Sequence, residues 1–195
     1  MSRLQIRLFG DPVLRQQARD VTDFDDRLRR LADDMLETMR AAAGVGLAAN
    51  QVGVLKRLFT WQLPDDENPR HGAVVNPVVE ELSEEIQESE EGCLSFPGLY
   101  YPVERPLRAR VRHHDVHGEE QVSQLEGFLA RAFLHETDHL NGILFIDHLA
   151  RHDRREAMRV MREAREGVDG EPARRSLLLG RRTEGPERDG PPRLA

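Results

Sequence analysis

The sequence predicts an α+β fold: largely antiparallel β-sheets packed around a buried central helix, with a peripheral C-terminal helix. Two observations carry this expectation. Element signals run helix, several strands, helix, helix, without the strand–helix alternation that builds parallel sheets. Between Leu125 and Leu140, moreover, apolar residues recur at helical spacing and nearly all round the helix (Phe128, Leu129, Ala132, Phe133, Leu140), the pattern of a helix covered on every side.

Over 25–43, Leu28, Leu31, Met35, Leu36 and Met39 stand three or four residues apart. They make an amphipathic helix, with Asp23 or Asp25 available as N-cap and Gly44 closing it. Gly44-Val45-Gly46 turns the chain, and Leu47–Val52 leads into a strand at Arg57–Trp61. The short β-branched run 72–79 reads as a strand broken at Pro77. Ile86–Glu91 alternates weakly before a loop over 92–98. Leu107–His114 and Glu120–Leu125 flank a turn at His117-Gly118, a hairpin. Asn141-Gly142 stops the buried helix, and Arg151–Glu166 forms a last surface helix.

The chain has 195 residues, 38% of them apolar, enough for one core. We assign one globular domain to residues 1–166. Over 167–195 only Leu177-Leu178-Leu179 stands out among Arg, Gly, Pro and Glu, so this segment is expected to be a flexible tail. The lone cysteine allows no internal disulfide, which fits a reducing cytoplasm. The N-terminus lacks the apolar stretch of a secretion signal, and no run is long enough for a membrane helix. A net charge of -7 argues against non-specific nucleic-acid binding by the whole surface.

The chemistry starts at His135-Glu136-Thr137-Asp138-His139. On a helix, residues i and i+4 share a face, so both imidazoles can reach one metal ion, with Glu136 beside them to take a proton from water. Such residues also occur on surface helices without a ligand. Here they fall on the buried helix, where unpaired polar groups would cost several kcal/mol. A third protein ligand is then needed, leaving one position open. Cys93, in Glu91-Gly92-Cys93-Leu94-Ser95, is either a small buried hydrophobe or a thiolate ligand suited to zinc or ferrous iron. The segment Gly44–Gln51 is either a tight corner or a close approach of backbone to substrate. In the second case the Gln51 amide is available to stabilise an oxyanion.

Other groups carry two readings. Arg131 either faces the site or pairs with Glu88, Glu90 or Glu91. Asp138 either orients a histidine or pairs locally. His113, His114 and His117 suggest a second metal cluster or, more simply, exposed hairpin histidines.

Three segments, G-V-G-L-A-A-N-Q (44–51), E-G-C-L-S (91–95) and H-E-T-D-H-L-N-G (135–142), resemble in order and separation the signature motifs of the peptide deformylase family. The resemblance spans about residues 4–150 and includes the opening Phe9–Arg15. It implies removal of the formyl group from the N-terminal formyl-methionine of newly made polypeptides. It further implies Cys93, His135 and His139 as metal ligands, Glu136 as general acid/base, and Gln51 with the Leu94 backbone N–H as donors to the formyl oxygen. The implied cofactor is one divalent metal, Fe2+ first, with Ni2+, Co2+ or Zn2+ able to take its place. Helix phase and family position together make Val45, Gly46 and Phe128 walls of an apolar slot for the methionine side chain. In deformylases of this layout a C-terminal helix can dock on the ribosome, and Arg151–Glu166 carries six arginines. Departures are Leu134, where glutamine is frequent, and Asn50, where proline or threonine is; they bear on fine specificity. The rivals are a zinc endopeptidase, which leaves Cys93 unexplained, a cysteine hydrolase, which a chelator would spare, and a silent metal-stabilised binding protein.

Overall fold

A computed structural model of the chain describes residues 3–63 and 70–166. The tail expected over 167–195 lies outside them. After a 3-10 turn at Pro12–Arg15 come α1 (Asp26–Ala41), β1 (Gly46–Ala48), a second 3-10 turn (Ala49–Val52), β2 (Leu58–Gln62), β3 (His71–Leu82), β4 (Ile86–Cys93), β5 (Phe96–Pro106), β6 (Arg108–His114) and β7 (Glu120–Glu126). The chain continues into α2 (Gly127–Leu140), a third 3-10 turn (Phe145–Asp147) and α3 (Arg151–Glu166). One sheet runs β1-β2-β3-β6-β7 and a separate hairpin joins β4 to β5, with every strand pairing antiparallel. The α+β expectation holds. No helix among the described residues is long and apolar enough to cross a membrane.

The central helix is α2. One side packs Ala130, Phe133, Leu134 and Leu140 on Phe59, Val74, Ala109 and Val111 of the five-stranded sheet, with Phe59 and Phe133 edge-on at 5.1 Å. Burying a phenylalanine side chain stabilises by about 1.5–3 kcal/mol. Beyond α2, the β4–β5 hairpin, the Phe145–Asp147 turn and α3 form a second cluster around Leu14, Cys93, Phe96, Leu99, Phe145, Ala157 and Met161. On the remaining face of the sheet, α1 buries Leu28, Ala32, Met35 and Met39 against Leu47, Leu58 and Val75. Its N-cap is Asp25, whose side chain accepts from the N–H groups of Arg27 and Leu28. Asn141 caps α2, and Gly142 follows at φ 73°.

Four local expectations are corrected. The helix of 25–43 ends at Ala41; Gly44 does close it, its N–H bonding the Met39 carbonyl at 2.9 Å, after Ala43 turns left-handed at φ 54°. Pro77 does not break its strand: it lacks an N–H, so β3 slips register between Val75 and Val78 and runs on. The bend is held by Asn76 (φ 51°), whose side chain bonds both the N–H and the carbonyl of Val21. The loop of 92–98 shrinks to the two-residue turn Leu94-Ser95 between β4 and β5. Finally, His113 is buried, its Nε2 3.0 Å from Ser123 Oγ, because strand alternation puts it on the inward face with Ala109 and Val111. His117 is exposed as expected, and the three histidines do not converge.

Candidate metal centre

Three elements bring the candidate residues together. Cys93 ends β4, Gln51 lies in the 3-10 turn after β1, and His135, Glu136 and His139 project from α2. Cys93 Sγ lies 3.2 Å from His139 Nε2, and the two imidazole rings are 5.0 Å apart between centroids. One ligand atom each from Cys93, His135 and His139 falls within 4.8 Å of the other two, and all three residues are buried. This is the only such grouping of potential metal ligands among the described residues.

Gln51 is held from both ends. Its Oε1 accepts the Ala48 N–H at 2.8 Å, which turns Nε2 toward Cys93 Sγ (3.4 Å) and Ser95 Oγ (3.2 Å). Leu94 is the first residue of the hairpin turn, next to the thiol. Val45 and Phe128 meet over Ala132 in a small apolar cluster of their own. Gly46 backs the Glu136 carboxyl: a Cβ there would lie 2.7 Å from Glu136 Cδ and 2.9 Å from Cγ, and closer still to Oε1.

Glu91 is the residue whose part in the site was missed from sequence. It is fully buried, and its Oε2 accepts from His135 Nδ1 at 3.1 Å. Oε1 accepts from Arg105 Nε at 2.9 Å and from Arg131 Nη1 at 2.7 Å. A signal was present: Glu91 and Cys93 are two apart on one strand and therefore share a face. Arg131 thus takes the salt-bridge reading, its remaining donors reaching the carbonyls of Gln87 and Val103 at 3.0 and 2.8 Å. Asp138 accepts from Arg105 of β5 and from His148, a pairing that is in part long-range in sequence.

The electrostatics follow from burial set against these partners. Burial alone would raise the Glu91 carboxyl, but hydrogen bonds from His135 and Arg105 outweigh it and hold it well below the usual range. For Glu136 burial wins, pushing it up to about 7 against the pull of His135. Burial, then the charge of His135, keeps His139 well below its ordinary value, in the neutral form that binds metals. Glu136 Oε2 and His139 Nδ1 are buried with no hydrogen-bond partner among the described residues. A buried thiol, two imidazoles and an unsatisfied carboxylate fit a cation of the zinc or iron type. Nδ1 of His135 is committed to a carboxylate, which leaves its Nε2 free for an ion. Two surface clefts, of about 340 and 670 Å³, lie elsewhere, one between α1 and the start of β3, the other beside the Asn76-Pro77 bend.

A sulfur–nitrogen ligand cluster with a carboxylate next to it, set in an α+β frame, defines a candidate metallohydrolase. Comparison with known proteins makes the class specific. The chain belongs to the polypeptide deformylase family, which it matches over residues 3–155. A peptide deformylase of Parafrankia sp. is 48% identical over 173 residues, covering 89% of this chain and 93% of that protein. One from Acidothermus cellulolyticus is 52% identical over 159 residues, or 82% of this chain and 86% of that one. Among solved structures, peptide deformylase from Ehrlichia chaffeensis superposes with a TM-score of 0.80 at 35% identity, covering 86% of this chain and 99% of that one. The enzyme from Synechococcus elongatus, solved in complex with actinonin, gives 0.78 at 41% identity over 82% and 88%. The chain is accordingly a metal-dependent hydrolase that removes the N-formyl group from nascent peptides.

Proposed function

We propose that the enzyme takes the formyl group from N-terminal formyl-methionine and that Cys93, His135 and His139 hold its metal, Fe2+ in the cell, with Ni2+, Co2+ or Zn2+ able to replace it. The observation that carries this reading is the meeting of one thiol and two imidazoles within 4.8 Å, on three buried residues. The cation supplies Lewis acidity that draws the pKa of water from 15.7 toward about 7.

The chain's own groups do the rest. Glu136, beside the ligands, accepts the proton of the attacking water and returns it to the departing amine. The Gln51 amide and the Leu94 N–H donate to the oxygen on which negative charge develops, each worth about 3 kcal/mol. The orientation of Gln51 supports its part, because the bond from Ala48 leaves only the amide nitrogen facing Cys93. Val45, beside Gly46 in the chain, and Phe128, at the start of α2, suit an unbranched apolar side chain. We place the enzyme in the cytoplasm. We further propose that α3, whose Arg155, Arg159 and Arg162 are exposed, meets the ribosome.

Formate release from a formyl-Met peptide tests the reading. The metal-loaded protein is expected to release formate without cutting internal bonds, and a chelator is expected to abolish the activity. Internal cleavage would point to an endopeptidase, and activity that survives chelation to a cysteine hydrolase. Gly46→Ala tests how closely Glu136 must be placed. The added methyl must displace the carboxylate, and a misplacement near 1 Å costs on the order of a hundredfold in kcat. An unchanged kcat in a folded Gly46→Ala protein would mean that the position of Glu136 is not critical.

A further inference from the structure

We infer that His148 is a positioning residue for His135, acting through Asp138, Arg105 and Glu91. The inference rests on the reading that His135 holds the metal. His148 follows the Phe145–Asp147 turn and is about one-third exposed, the outermost of this group of side chains. Its Nε2 lies 2.7 Å from Asp138 Oδ2, a separation that requires the hydrogen on that nitrogen. Arg105 Nη1 donates to the same oxygen at 2.6 Å. The 3.3 Å approach of Arg105 Nη1 to His148 Nε2 is therefore not a hydrogen bond, and two donors converge on one carboxylate oxygen.

That convergence fixes Arg105 at its far end. With Nη1 on Asp138, its Nε and Nη2 grip the two oxygens of Glu91 at 2.9 and 3.1 Å. Glu91 in turn accepts from His135 Nδ1. The chain of contacts runs from solvent to the imidazole, and each member restricts the next. The same turn reaches His135 by a second route, since the Phe145 ring lies near-parallel to the imidazole at 6.3 Å. Losing the His148 donor leaves Asp138 held from one side only, so Arg105, Glu91 and the imidazole sample a wider range of orientations.

Outer partners of metal-binding histidines typically govern affinity by about 10–100-fold, and a residue this far out belongs at the low end. The test is cobalt retention by the full-length, cobalt-loaded protein, with chelator in excess, together with its cobalt–thiolate absorption band. His148→Leu is expected to lose cobalt about tenfold faster than the original protein and to broaden the band. His148→Gln, whose amide can reach Asp138, is expected to restore both to within about twofold. His148→Asn, polar but too short to reach, is expected to behave as His148→Leu does and serves in its place should the leucine variant not fold. Cobalt lifetimes and bands equal to the original in both donor-lacking variants would overturn the inference while leaving the metal site standing. A chain that takes up no cobalt, or takes it up without the thiolate band, would overturn the metal reading and this inference with it.

Discussion

Glu136→Ala is expected to keep its metal and lose turnover by a factor of about 10²–10⁴, the range attributed to a positioned general acid or base. The carboxylate is buried, with one oxygen that no described group satisfies, so it contributes little to the fold. Its removal leaves Cys93, His135, His139 and the Glu91 contact to His135 untouched. Metal content by elemental analysis should therefore match that of the unaltered protein, while kcat for formate release collapses. A folded, fully loaded Glu136→Ala protein that deformylates at close to the original rate would assign the proton to another group.

The largest effect on stability is expected from Glu91→Ala. Glu91 is the shared acid of Arg105 and Arg131, and all three are almost completely buried. Removing one member of a buried charged group strands its partners and costs about 3–5 kcal/mol. For a protein of this size that lowers the melting temperature by roughly 6–20 °C. His135 loses its Nδ1 acceptor in the same step, so metal should be lost more readily as well. A melting temperature and metal content within error of the unaltered protein would show that the network carries neither load.

The elements that were legible in the sequence are those whose signal is local. The three- and four-residue spacing along α1, the all-round apolar pattern of α2 and the stop at Asn141-Gly142 each need only a few neighbouring residues to be read. The motif on α2 was legible for the same reason, since one helical turn fixes which residues share a face. β5 was not, because Pro97, Pro102 and Pro106 obscure a strand that exists only by pairing with β4. The ion network was hidden by distance. Arg105 stands opposite Gln87 in the hairpin, and only the length of its side chain carries it along the strand to Glu91 and across to Asp138 on α2. The buried position of His113 could have been read from the alternation of β6; its polar ring and the nearby turn pointed the other way. The part of Glu91 lay between these cases, its face given by its distance from Cys93 and its partner by the tertiary fold.

The claim on which the rest depends is that Cys93 binds the same ion as His135 and His139. X-ray absorption at the metal edge of the anaerobically purified protein tests it directly. One sulfur and two imidazole nitrogens are expected around a single metal per chain, with the sulfur contribution gone in Cys93→Ala. A metal bound at full occupancy with no sulfur neighbour, or with a spectrum unchanged in Cys93→Ala, would contradict it.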